Sequence, residues 1–596
     1  LKRFVVEMVD RPVPGLFRAA DTGKKVAVVG AGPAGLTVAY DLVRLGHRAV
    51  VFDRLPAPGG HFLTSLPAYS LPREALRRDV EEIVAAGVEI HAGVEVGRGI
   101  MIGRLQKEYD AVIISAGLWA ERGLPLPGFD HPRVLTALPF LKAANAGVKL
   151  ELGNRVIVIG GGDVAMDVAR TALRLGVADV GVVCLEPGDR MPAHAWEVEG
   201  ALAEGVKIFP GFGPAEILVE GGSIAGLVVR KVNTLFDQDG RFNPSFVPGV
   251  VETIPGDTVV LAIGRSPDNS FLAGSDLETG AGGCLALDRQ LLTTSIEGIF
   301  ACGELAEGPG SAIAAVASGH RVAVVVDRYL KGVKTALQEQ ETLVVGPLPA
   351  GVAEITPRYE RCRMPALPLG ERKNSFMPYE LGLDEPSALY EAGRCLSCGQ
   401  GAMVADEKCV ACLTCRRVCP YGAPVVKERA GIPLESCLAC GICAASCPAG
   451  AITIGVLDEG VVLSKLLTLS LSADVVIFAC RGTYIGYPGL VGAGKVPGLA
   501  RARVVQVPTA GAVRLEWLLK AFENGAAGVA VVACGNGRCR YAGDATPADG
   551  VISRARGILS GAGISPDRLY YCRPEEGEDP VALLAGFVKE LPQAIS

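Results

Sequence analysis

Eight cysteines in two runs of equal spacing carry the clearest chemistry in this sequence. The first run reads Cys-x2-Cys-x2-Cys-x3-Cys-Pro over residues 409–420, and the second repeats that spacing over residues 437–448. Three closely spaced thiolates bind one [4Fe–4S] cluster, and a fourth that precedes a proline binds the other cluster of a pair. The repeat therefore predicts two [4Fe–4S] clusters that move single electrons.

The crossing of the fourth cysteine divides the eight ligands into two sets. The first cysteine set is Cys409, Cys412, Cys415 and Cys447, and the second cysteine set is Cys437, Cys440, Cys443 and Cys419. A zinc site is the alternative, but zinc sites usually combine two CxxC pairs and not two triplets. The spacing is that of bacterial two-cluster ferredoxins, so we expect iron–sulfur clusters.

A glycine turn near the start of the chain predicts a dinucleotide-binding unit. An apolar run ends in Gly30-Ala-Gly32-Pro-Ala-Gly35, an amphipathic stretch follows, and the next apolar run ends at Asp53. The first glycine permits the tight turn, the second lets a pyrophosphate approach, and the third lets the helix pack on the strand. The helix N-terminus then faces the phosphates, and the acid accepts hydrogen bonds from a ribose.

Two further glycine signals follow along the chain. After the apolar run 155–160, the second fingerprint consists of Gly160, Gly162, Asp163 and Ala165 at the start of another helix. The chain is therefore predicted to bind two dinucleotides. The apolar run 299–302 ends in Gly303-Glu304, where the glutamate carboxylate is placed to hold the ribityl chain of FAD.

Residues 1–330 resemble the small, flavin-containing subunit of glutamate synthase and its transhydrogenase relatives. The matching segments are Val26–Leu36, Pro58–Gly60, Leu66-Pro67, Leu71-Pro72, Ile114–Gly117, Gly160–Asp167, Met191–Ala193, Leu261–Gly264 and Ile299–Glu304. The resemblance implies FAD contacts at Gly30, Gly32, Gly35, Asp53, Gly59, Gly60 and Gly303. Gly117 and Gly264 lie in matching motifs and are expected at the cofactors, and Glu304 stands where the family usually has aspartate.

One departure from this family bears on the nucleotide. Relatives that use NADPH carry an Arg-Arg pair just after the second strand of the NAD(P) domain, where this chain has Leu185-Glu186. A carboxylate accepts a hydrogen bond from the adenosine 2′-hydroxyl and repels a 2′-phosphate, whereas arginine does the opposite. The departure predicts NADH in preference to NADPH.

Three cysteines of the flavin half, Cys184, Cys284 and Cys302, stand singly in the sequence. None belongs to the CxxC or CxxxxC pair that a disulfide reductase places beside its flavin, so we interpret them as small buried side chains. Electrons that reach the flavin are then expected to leave through the clusters. We predict no catalytic acid or base, because hydride transfer to flavin needs none.

A further cysteine pair, Cys395 and Cys398, ends a proline-containing connector over residues 333–400. The segment resembles the opening of the iron–sulfur domain of glutamate synthase small subunits. Two alternatives stay open: a third cluster, for which Cys362 is one more candidate ligand, or a remnant pair that binds no iron.

The last part of the chain alternates apolar strands with helices and resembles the delta subunit of methyl-viologen-reducing hydrogenase. The resemblance rests on Phe478–Cys480, Leu519–Gly525 and Ala533-Cys534-x4-Cys539. That family implies a [2Fe–2S] cluster, for which Cys480, Cys534, Cys539 and Cys572 are the candidate ligands here. Thr483 and Thr509 replace two of its usual cysteines, so a fold that only docks a partner is the alternative.

These segments predict an α/β protein with two Rossmann-like domains, the NAD(P) domain inserted in the FAD domain, a ferredoxin-like domain and a small α/β domain. The expected boundaries are 1–145 and 268–332 for the FAD domain, 146–267 for the NAD(P) domain, 333–400 for the connector, 401–455 for the ferredoxin-like domain and 456–596 for the last domain.

Composition excludes some functional classes. The chain has 596 residues, 49% hydrophobic and 20% charged, and its net charge of −6 argues against nucleic-acid binding. No apolar run reaches membrane-spanning length and no signal peptide is visible. We therefore expect a cytoplasmic protein. Because 18 cysteines are unusual in a cytosolic enzyme unless they bind metal, we expect clusters, and because such clusters are often oxygen-sensitive, we expect an anaerobe.

The sequence thus predicts an NADH-linked electron-transfer subunit of a hetero-oligomer. Its expected partner is a catalytic redox subunit: a heterodisulfide-reductase-like protein, a carbon monoxide or formate dehydrogenase, a tungsten aldehyde oxidoreductase or a hydrogenase. Three alternatives remain: a glutamate synthase small subunit, a flavin-based electron-bifurcating subunit and a scaffold with relic sites. The direction of electron flow is left open.

Overall fold

The computed structural model describes residues 1–8, 18–288, 292–333, 360–394, 401–455, 457, 459–467, 475–481, 496–535, 546–575 and 578–591. The chain divides into two compact units. The dinucleotide unit comprises Asp10–Glu339 and Pro365–Leu381, and the cysteine unit comprises Leu1–Val9, Gln340–Met364 and Gly382–Ser596. The predicted connector 333–400 is therefore shared between the two units.

The first glycine turn belongs to a five-stranded parallel sheet in the dinucleotide unit. In spatial order its strands are Ile299–Ala301, Ala111–Ile114, Lys25–Val29, Arg48–Asp53 and Glu89–Ala92. The associated helices are Pro33–Arg44, His61–Thr64, Arg73–Ala85, Ile102–Glu108, Glu304–Glu307 and Ala312–Leu330. Val26 and Val28 are completely buried, as expected of a parallel strand that is covered on both faces.

A second parallel sheet carries the second glycine turn. Its strands in spatial order are Val134–Thr136, Thr258–Leu261, Arg155–Ile159, Asp179–Cys184 and Lys207–Pro210. Its helices are Ala137–Asn145, Asp163–Arg174 and Ala195–Glu204, and an antiparallel sheet of Phe212–Glu220, Ser223–Phe236 and Phe242–Pro255 follows. In the chain, this sheet lies between two strands of the first sheet, so it is an insertion.

The inserted sheet begins before residue 146, the boundary expected from sequence. Val134–Thr136 pairs with Thr258–Leu261, and Phe140 and Leu141 of the next helix are buried in the same core as Val156. A three-residue strand has too few residues to show a periodic pattern, which is why the sequence boundary fell later.

Part of the connector binds to the dinucleotide unit through buried charges. Arg170, with a side chain only 1% exposed, pairs with the fully buried Glu204 at 2.9 Å. Its guanidinium also lies 4.6 Å from the ring centre of Tyr379 and 5.2 Å from that of Tyr69. Because Tyr379 belongs to the connector and Tyr69 to the FAD-binding part, Arg170 ties the inserted sheet to both.

The cysteine runs lie in a small fold within the cysteine unit. Ala402–Val404 pairs with Ile452–Ile454, Val425–Val426 pairs with Ala430–Gly431, and short helices span Thr414–Val418 and Ile442–Ser446. Other helices of this unit are Lys2–Met8 and Glu385–Gly393.

The C-terminal part of the cysteine unit contains a four-stranded parallel sheet. In spatial order its strands are Ala502–Val507, Val475–Cys480, Gly528–Val532 and Leu569–Cys572. Helices Glu459–Leu467, Leu515–Glu523, Thr546–Gly561 and Pro580–Glu590 accompany it. Among the helices in the described ranges, none has both the length and the apolar composition needed to cross a membrane.

Candidate cofactor sites

The first glycine turn has the geometry that a bound pyrophosphate requires. Gly30 has a φ of 110°, and a Cβ atom there would lie 2.5 Å from the Ser115 carbonyl oxygen. A Cβ on Gly35 would lie 1.9 Å from the Gly30 oxygen, whereas a Cβ on Gly32 would meet nothing within 4 Å. The outer two glycines are therefore needed for packing, and the middle one leaves open space over the helix N-terminus for phosphate.

Asp53, at the end of its strand, holds this turn in place. Its Oδ2 accepts from the Ala31 amide at 2.6 Å, and its Oδ1 accepts from the Leu55 amide at 2.7 Å. Burial raises the pKa of this carboxyl, while the two amide hydrogen bonds oppose that rise. Each carboxylate oxygen can accept more than one hydrogen bond, so Asp53 keeps capacity for a ribose hydroxyl.

A cleft of about 1050 Å³ opens beside the turn. The predicted flavin residues that line it are Gly30, Gly32, Asp53, Gly60, Gly117, Gly303 and Glu304. Two others lie behind its wall: Gly35 packs on the Gly30 oxygen, and a Cβ on Gly59 would press on the Leu63 and Leu76 side chains. The cleft therefore gathers the predicted FAD residues, and their donor set fits a dinucleotide.

Glu304 is already engaged in an ion pair at the cleft. Its Oε1 lies 2.9 Å from a guanidinium nitrogen of Arg265, and both side chains are largely buried. Arg265 follows Gly264, the predicted contact in the inserted domain, and also lines the cleft. The pair places one positive and one negative charge, in contact with each other, in the cleft wall.

His61 and Trp119 form a stacked pair in the same wall that sequence reasoning did not single out. Their ring centres are 4.2 Å apart. The His61 ring nitrogens lie 2.9 Å from the Leu118 oxygen and 2.8 Å from the Ser65 hydroxyl. Burial, and then the charge of Arg265, lower the pKa of His61 to about 4, so this ring is neutral at pH 7. Its position directly after Gly59-Gly60 was the signal available.

Asp167 is the other titratable group that the sequence analysis did not assign. It lies on helix Asp163–Arg174 and lines the cleft. Burial, and then the charge of Glu197, raise the pKa of Asp167 to about 8. At neutral pH this side chain is therefore a protonated carboxyl that can donate a hydrogen bond.

The second glycine turn repeats the geometry of the first. Gly160 has a φ of 145°, and its Cβ would lie 2.2 Å from the Ala262 oxygen, whereas a Cβ on Gly162 would meet nothing within 4 Å. Ala165, in the first turn of helix Asp163–Arg174, is completely buried. Asp163 pairs with His194 at 2.7 Å. The turn thus has open space for a second pyrophosphate, as predicted.

Glu186 lies directly over the second turn. A Cβ on Gly161 would come within 2.8 Å of Glu186 Oε2. The neighbouring Leu185 points elsewhere: its Cδ2 would lie 2.8 Å from a Cβ on Gly213, in the antiparallel sheet. A carboxylate therefore stands at the side of the turn where the adenosine ribose of a dinucleotide lies.

The first cysteine set lines one pocket. The pocket is lined by Cys409, Cys412, Cys415 and Cys447, together with small and apolar side chains. Cys447, from the second run, therefore lies beside the first triplet in this pocket. Cys412 is exposed, and Cys415 is buried.

The second cysteine set is more deeply placed. Cys440 and Cys443 are buried. Burial raises the pKa of both thiols, and the charges of neighbouring cysteines, Cys419 and Cys437 among them, raise it further. Four thiols in such a site can ionise together only when cations neutralise them, as iron ions do.

Both cysteine loops have the same unusual backbone. Ala411 and Ala439, each two residues after the first cysteine of its run, have φ values of 50° and 52°. Leu413 and Gly441, each one residue after the second cysteine, have φ values of 63° and 85°. Left-handed residues turn successive amides inward and form the concave amide cradles typical of iron–sulfur sites.

Backbone amides also approach the sulfur atoms. The Ala430 amide donates to Cys409 Sγ at 3.4 Å, the Ala402 amide to Cys437 Sγ at 3.3 Å, and the Ala451 amide to Cys447 Sγ at 3.3 Å. Such N–H···S bonds favour thiolate ligands and tune cluster potentials. The residues present therefore fit two clusters.

The remaining cysteines are only partly brought together. Cys480 and Cys534 approach to 3.0 Å between their Sγ atoms. Cys572 packs in the core on the opposite face of the sheet, beside Val475 and Ile477, so the structure does not join it to that pair. Cys362 lies near Ser387 of helix Glu385–Gly393. Three further predicted ligands, Cys395, Cys398 and Cys539, lie outside the described residues.

The three single cysteines of the flavin half agree with their interpretation as packing residues. Cys184 and Cys302 are buried, and Cys284 is half-buried. Burial raises the pKa of the Cys184 thiol to about 11 and that of the Cys302 thiol to about 12. Thiols of this kind are poor nucleophiles at neutral pH.

Two nucleotide-binding sheets around one flavin cleft define a flavoprotein oxidoreductase that uses FAD and a pyridine nucleotide. Residues 24–319 match the family model described as pyridine nucleotide-disulphide oxidoreductase. Residues 475–594 match the model described as methyl-viologen-reducing hydrogenase, delta subunit. The glutamate synthase small chain of Escherichia coli K12 is 34% identical over 336 residues, which cover 53% of this chain and 71% of that protein. The chain belongs to the family of the glutamate synthase small chain.

Two longer relatives share more of the chain. The NADP(+)-dependent formate dehydrogenase subunit beta of Moorella thermoacetica is 38% identical over 65% of this chain and 56% of its own length. The NADPH-Fe(3+) oxidoreductase subunit beta of Geobacter sulfurreducens is 32% identical over 67% of this chain and 65% of its own length. The match thus spans less than two thirds of each. The comparisons confirm the predicted flavin half, its α/β fold and the hydrogenase delta-like end.

Proposed function

We propose that this chain is the electron-transfer subunit of a larger redox complex, moving electrons between NADH and a partner enzyme through FAD and two [4Fe–4S] clusters. The observation that supports this most strongly is the pair of cysteine sets, each with the same left-handed loop positions, in one chain with a flavin cleft. Bound FAD would take a hydride from the nicotinamide and release its two electrons singly.

The side chains and amides of the cleft have separate tasks in this proposal. The open space at Gly32 and the helix N-terminus beside it bind the pyrophosphate. Asp53 orients the turn and accepts from the ribose. The neutral His61–Trp119 stack forms an apolar wall that excludes water, and the protonated Asp167 offers a hydrogen-bond donor to a ring acceptor of the flavin.

The nucleotide specificity rests on Glu186. Its carboxylate lies over Gly161, where it can accept from the 2′-hydroxyl of NADH and where it would repel the 2′-phosphate of NADPH. The names of the relatives from Moorella and Geobacter carry NADP(+) or NADPH, so NADH use is a property proposed for this chain on its own residues.

The partner in this proposal is a metal-dependent catalytic subunit. The relative from Moorella is named as a subunit of a formate dehydrogenase, and the C-terminal segment matches a hydrogenase subunit model. These two classes therefore come before heterodisulfide-reductase-like proteins, carbon monoxide dehydrogenases and tungsten aldehyde oxidoreductases. The proposal places this chain in a hetero-oligomer in the cytoplasm.

Cofactor analysis of the anaerobically purified full chain tests the proposal. We expect bound FAD and about eight irons with about eight sulfides per chain for two [4Fe–4S] clusters, or about twelve of each if Cys395 and Cys398 hold a third. NADH should bleach the flavin and produce a paramagnetic signal from coupled clusters. Colourless protein, or flavin reduction without any cluster signal, would contradict it.

A matched pair of variants separates the clusters from the flavin. Cys412→Ser, in the first cysteine set, should remove about half of the iron and leave the bleaching of flavin by NADH intact. Cys284→Ser, which changes a half-buried thiol outside both sets, should change neither quantity. Equal iron loss in both variants would argue against the assignment of the first set.

A glutamate synthase component is the second candidate function. The 34% identity with the small chain of Escherichia coli favours it for the flavin half. The additional cysteine sets and the hydrogenase delta-like segment argue against it. Assay of glutamate formation with a glutamate synthase large subunit distinguishes the two, since only this second candidate predicts activity.

A further inference from the structure

The C-terminal sheet brings two thiols into contact at one edge. Cys480 ends its strand, and Cys534 comes two residues after the neighbouring strand Gly528–Val532. The two strands are parallel, with Ala479 opposite Val532, so their carboxyl ends coincide. The Sγ atoms of Cys480 and Cys534 are 3.0 Å apart, which leaves about 1 Å of movement to the 2.0 Å of a disulfide bond.

This thiol pair lies next to the second cysteine set. Cys480 Sγ donates to the Pro508 oxygen at 3.8 Å. The next residue, Thr509, is buried, and its hydroxyl donates to the Cys440 oxygen at 3.2 Å. Cys440 is therefore connected to Cys480 through only two intervening residues.

Close packing supports the same connection. A Cβ on Gly441 would lie 2.7 Å from the Ala512 Cβ atom, so the second cysteine loop rests directly on the segment that follows strand Ala502–Val507. Electron transfer between redox groups depends on short distances through packed protein, and this contact provides one.

The described residues of this edge do not bring four thiols together. A [2Fe–2S] cluster takes four thiolates. Thr509 stands at one of the cysteine positions of the hydrogenase delta family, and its hydroxyl is directed to Cys440. Cys572 lies in the core on the other face of the sheet. Of the described thiols, those of Cys480 and Cys534 meet at this edge, and the remaining candidate ligand, Cys539, lies outside the described residues.

We propose that Cys480 and Cys534 form a redox-active dithiol–disulfide pair that exchanges electrons with the second [4Fe–4S] cluster. In the reducing direction the Sγ–Sγ bond breaks as it takes two electrons and two protons, and two thiols form. The electrons come one at a time from the two clusters, which NADH reduces through FAD. This inference rests on the proposed function, and it adds a two-electron store at the end of the cluster relay.

Differential alkylation of the full chain under anaerobic conditions tests the pair. One sample is oxidised with diamide and another is reduced with NADH; free thiols are then blocked with iodoacetamide and the peptides are analysed by mass spectrometry. We expect a cross-linked Cys480–Cys534 peptide in the oxidised sample and its complete loss after NADH. Cys572, buried on the opposite face, should have the same labelling in both samples.

Two variants sharpen the result. Cys480→Ser should abolish the cross-linked peptide while the iron content stays unchanged. Thr509→Val removes the hydrogen bond to Cys440 but keeps the size of the side chain, and it should slow the reduction of the pair by NADH without slowing the bleaching of flavin.

Flavin absorbance and the cluster signal, recorded on the same samples, separate the possible failures. If both are reduced by NADH while the pair never cross-links or stays oxidised, the inference falls and the proposed function stands. Loss of iron in Cys480→Ser, or a cross-link from Cys534 to Cys539 instead, also overturns it. If NADH reduces neither flavin nor clusters, the proposed function fails and this inference fails with it.

Discussion

At the scale of single residues, the proposed preference for NADH rests on one carboxylate, that of Glu186. It stands over the second glycine turn, while Leu185 beside it packs into the antiparallel sheet. No arginine follows this strand directly in the sequence, where relatives that use NADPH have two. The proposed discrimination therefore depends on repulsion of the 2′-phosphate as well as on a hydrogen bond to the 2′-hydroxyl.

Replacing this carboxylate should weaken the discrimination. We expect Glu186→Gln to raise kcat/KM for NADPH relative to NADH by roughly tenfold, because about 1.4 kcal/mol of repulsion corresponds to that factor. Steady-state kinetics with both nucleotides and a dye acceptor measure it. Asp189→Asn, an exposed acid three residues later, is the control and should leave the ratio unchanged. An unaltered ratio in Glu186→Gln would refute the assignment.

Asp167 should impose a pH dependence on stability. Its pKa is raised to about 8 in the folded chain, so between about 4 and 8 the folded chain keeps a proton that the unfolded chain releases. Stability should fall as pH rises through this window, by at most ~1.4 kcal/mol per pH unit for one group. Asp167→Asn should remove that fall and be more stable than the parent near pH 8.

Denaturant unfolding at pH 6 and pH 8.5 measures this effect. Asp79→Asn, an exposed acid on helix Arg73–Ala85, serves as the control and should unfold in parallel with the parent at both values. If the parent and Asp167→Asn show equal pH dependence, the Asp167 carboxyl does not hold the proton.

At the scale of elements, the cysteine loops were the most predictable part of the molecule. The spacing alone predicts the crossing of Cys419 and Cys447, since the two runs share one pattern. The glycine turns were similarly predictable, because the backbone of such a turn requires glycine at fixed spacings that the sequence shows directly. The roles of His61 and Asp167 could not be predicted, because they follow from the position of these residues in the folded cleft. Spacing along the chain does not reveal that position.

The contact between Gly441 and Ala512 should be a sensitive point of the cysteine unit. In Gly441→Ala, the new Cβ would lie 2.7 Å from the Ala512 Cβ atom and 2.6 Å from Ile454 Cδ1, at a φ of 85°. We expect a loss of roughly 1–3 kcal/mol, the usual result of overpacking a core. Thermal unfolding of the cysteine unit, followed by the cluster absorbance, measures it.

Gly422 provides a control for backbone conformation. It also has a positive φ, of 64°, but a Cβ there would meet nothing within 4 Å. Gly422→Ala therefore retains the conformational cost and omits the collision, and we expect it to be the milder variant. Equal destabilisation of the two variants would show that the Ala512 contact is unimportant.

At the scale of the whole molecule, sequence reasoning recovered the insertion of one nucleotide-binding domain in the other but placed its start too late. The strand Val134–Thr136 is too short to show a period, and only its pairing with Thr258–Leu261 reveals it. The sequence also did not predict that residues 365–381 of the connector belong to the dinucleotide unit, because this depends on the buried contact of Arg170 with Tyr379.

Since each unit has its own core, iron removal should affect them unequally. Chelation of iron under anaerobic conditions should lower the unfolding temperature of the cysteine unit, because metal binding contributes to folding free energy. Flavin release, followed by fluorescence on heating, reports the dinucleotide unit and should occur at an unchanged temperature. A single transition that shifts as a whole would contradict this expectation.

The unequal exposure of the two cysteine sets has a consequence for oxidative damage. Dioxygen and peroxide arrive from solvent, and they meet Cys412 at the surface before they meet the enclosed Cys440 and Cys443. With both proposed clusters bound, damage should therefore begin at the first cysteine set, and repair would start from that side. The second proposed cluster, beside the segment that carries Thr509, would then outlast the first.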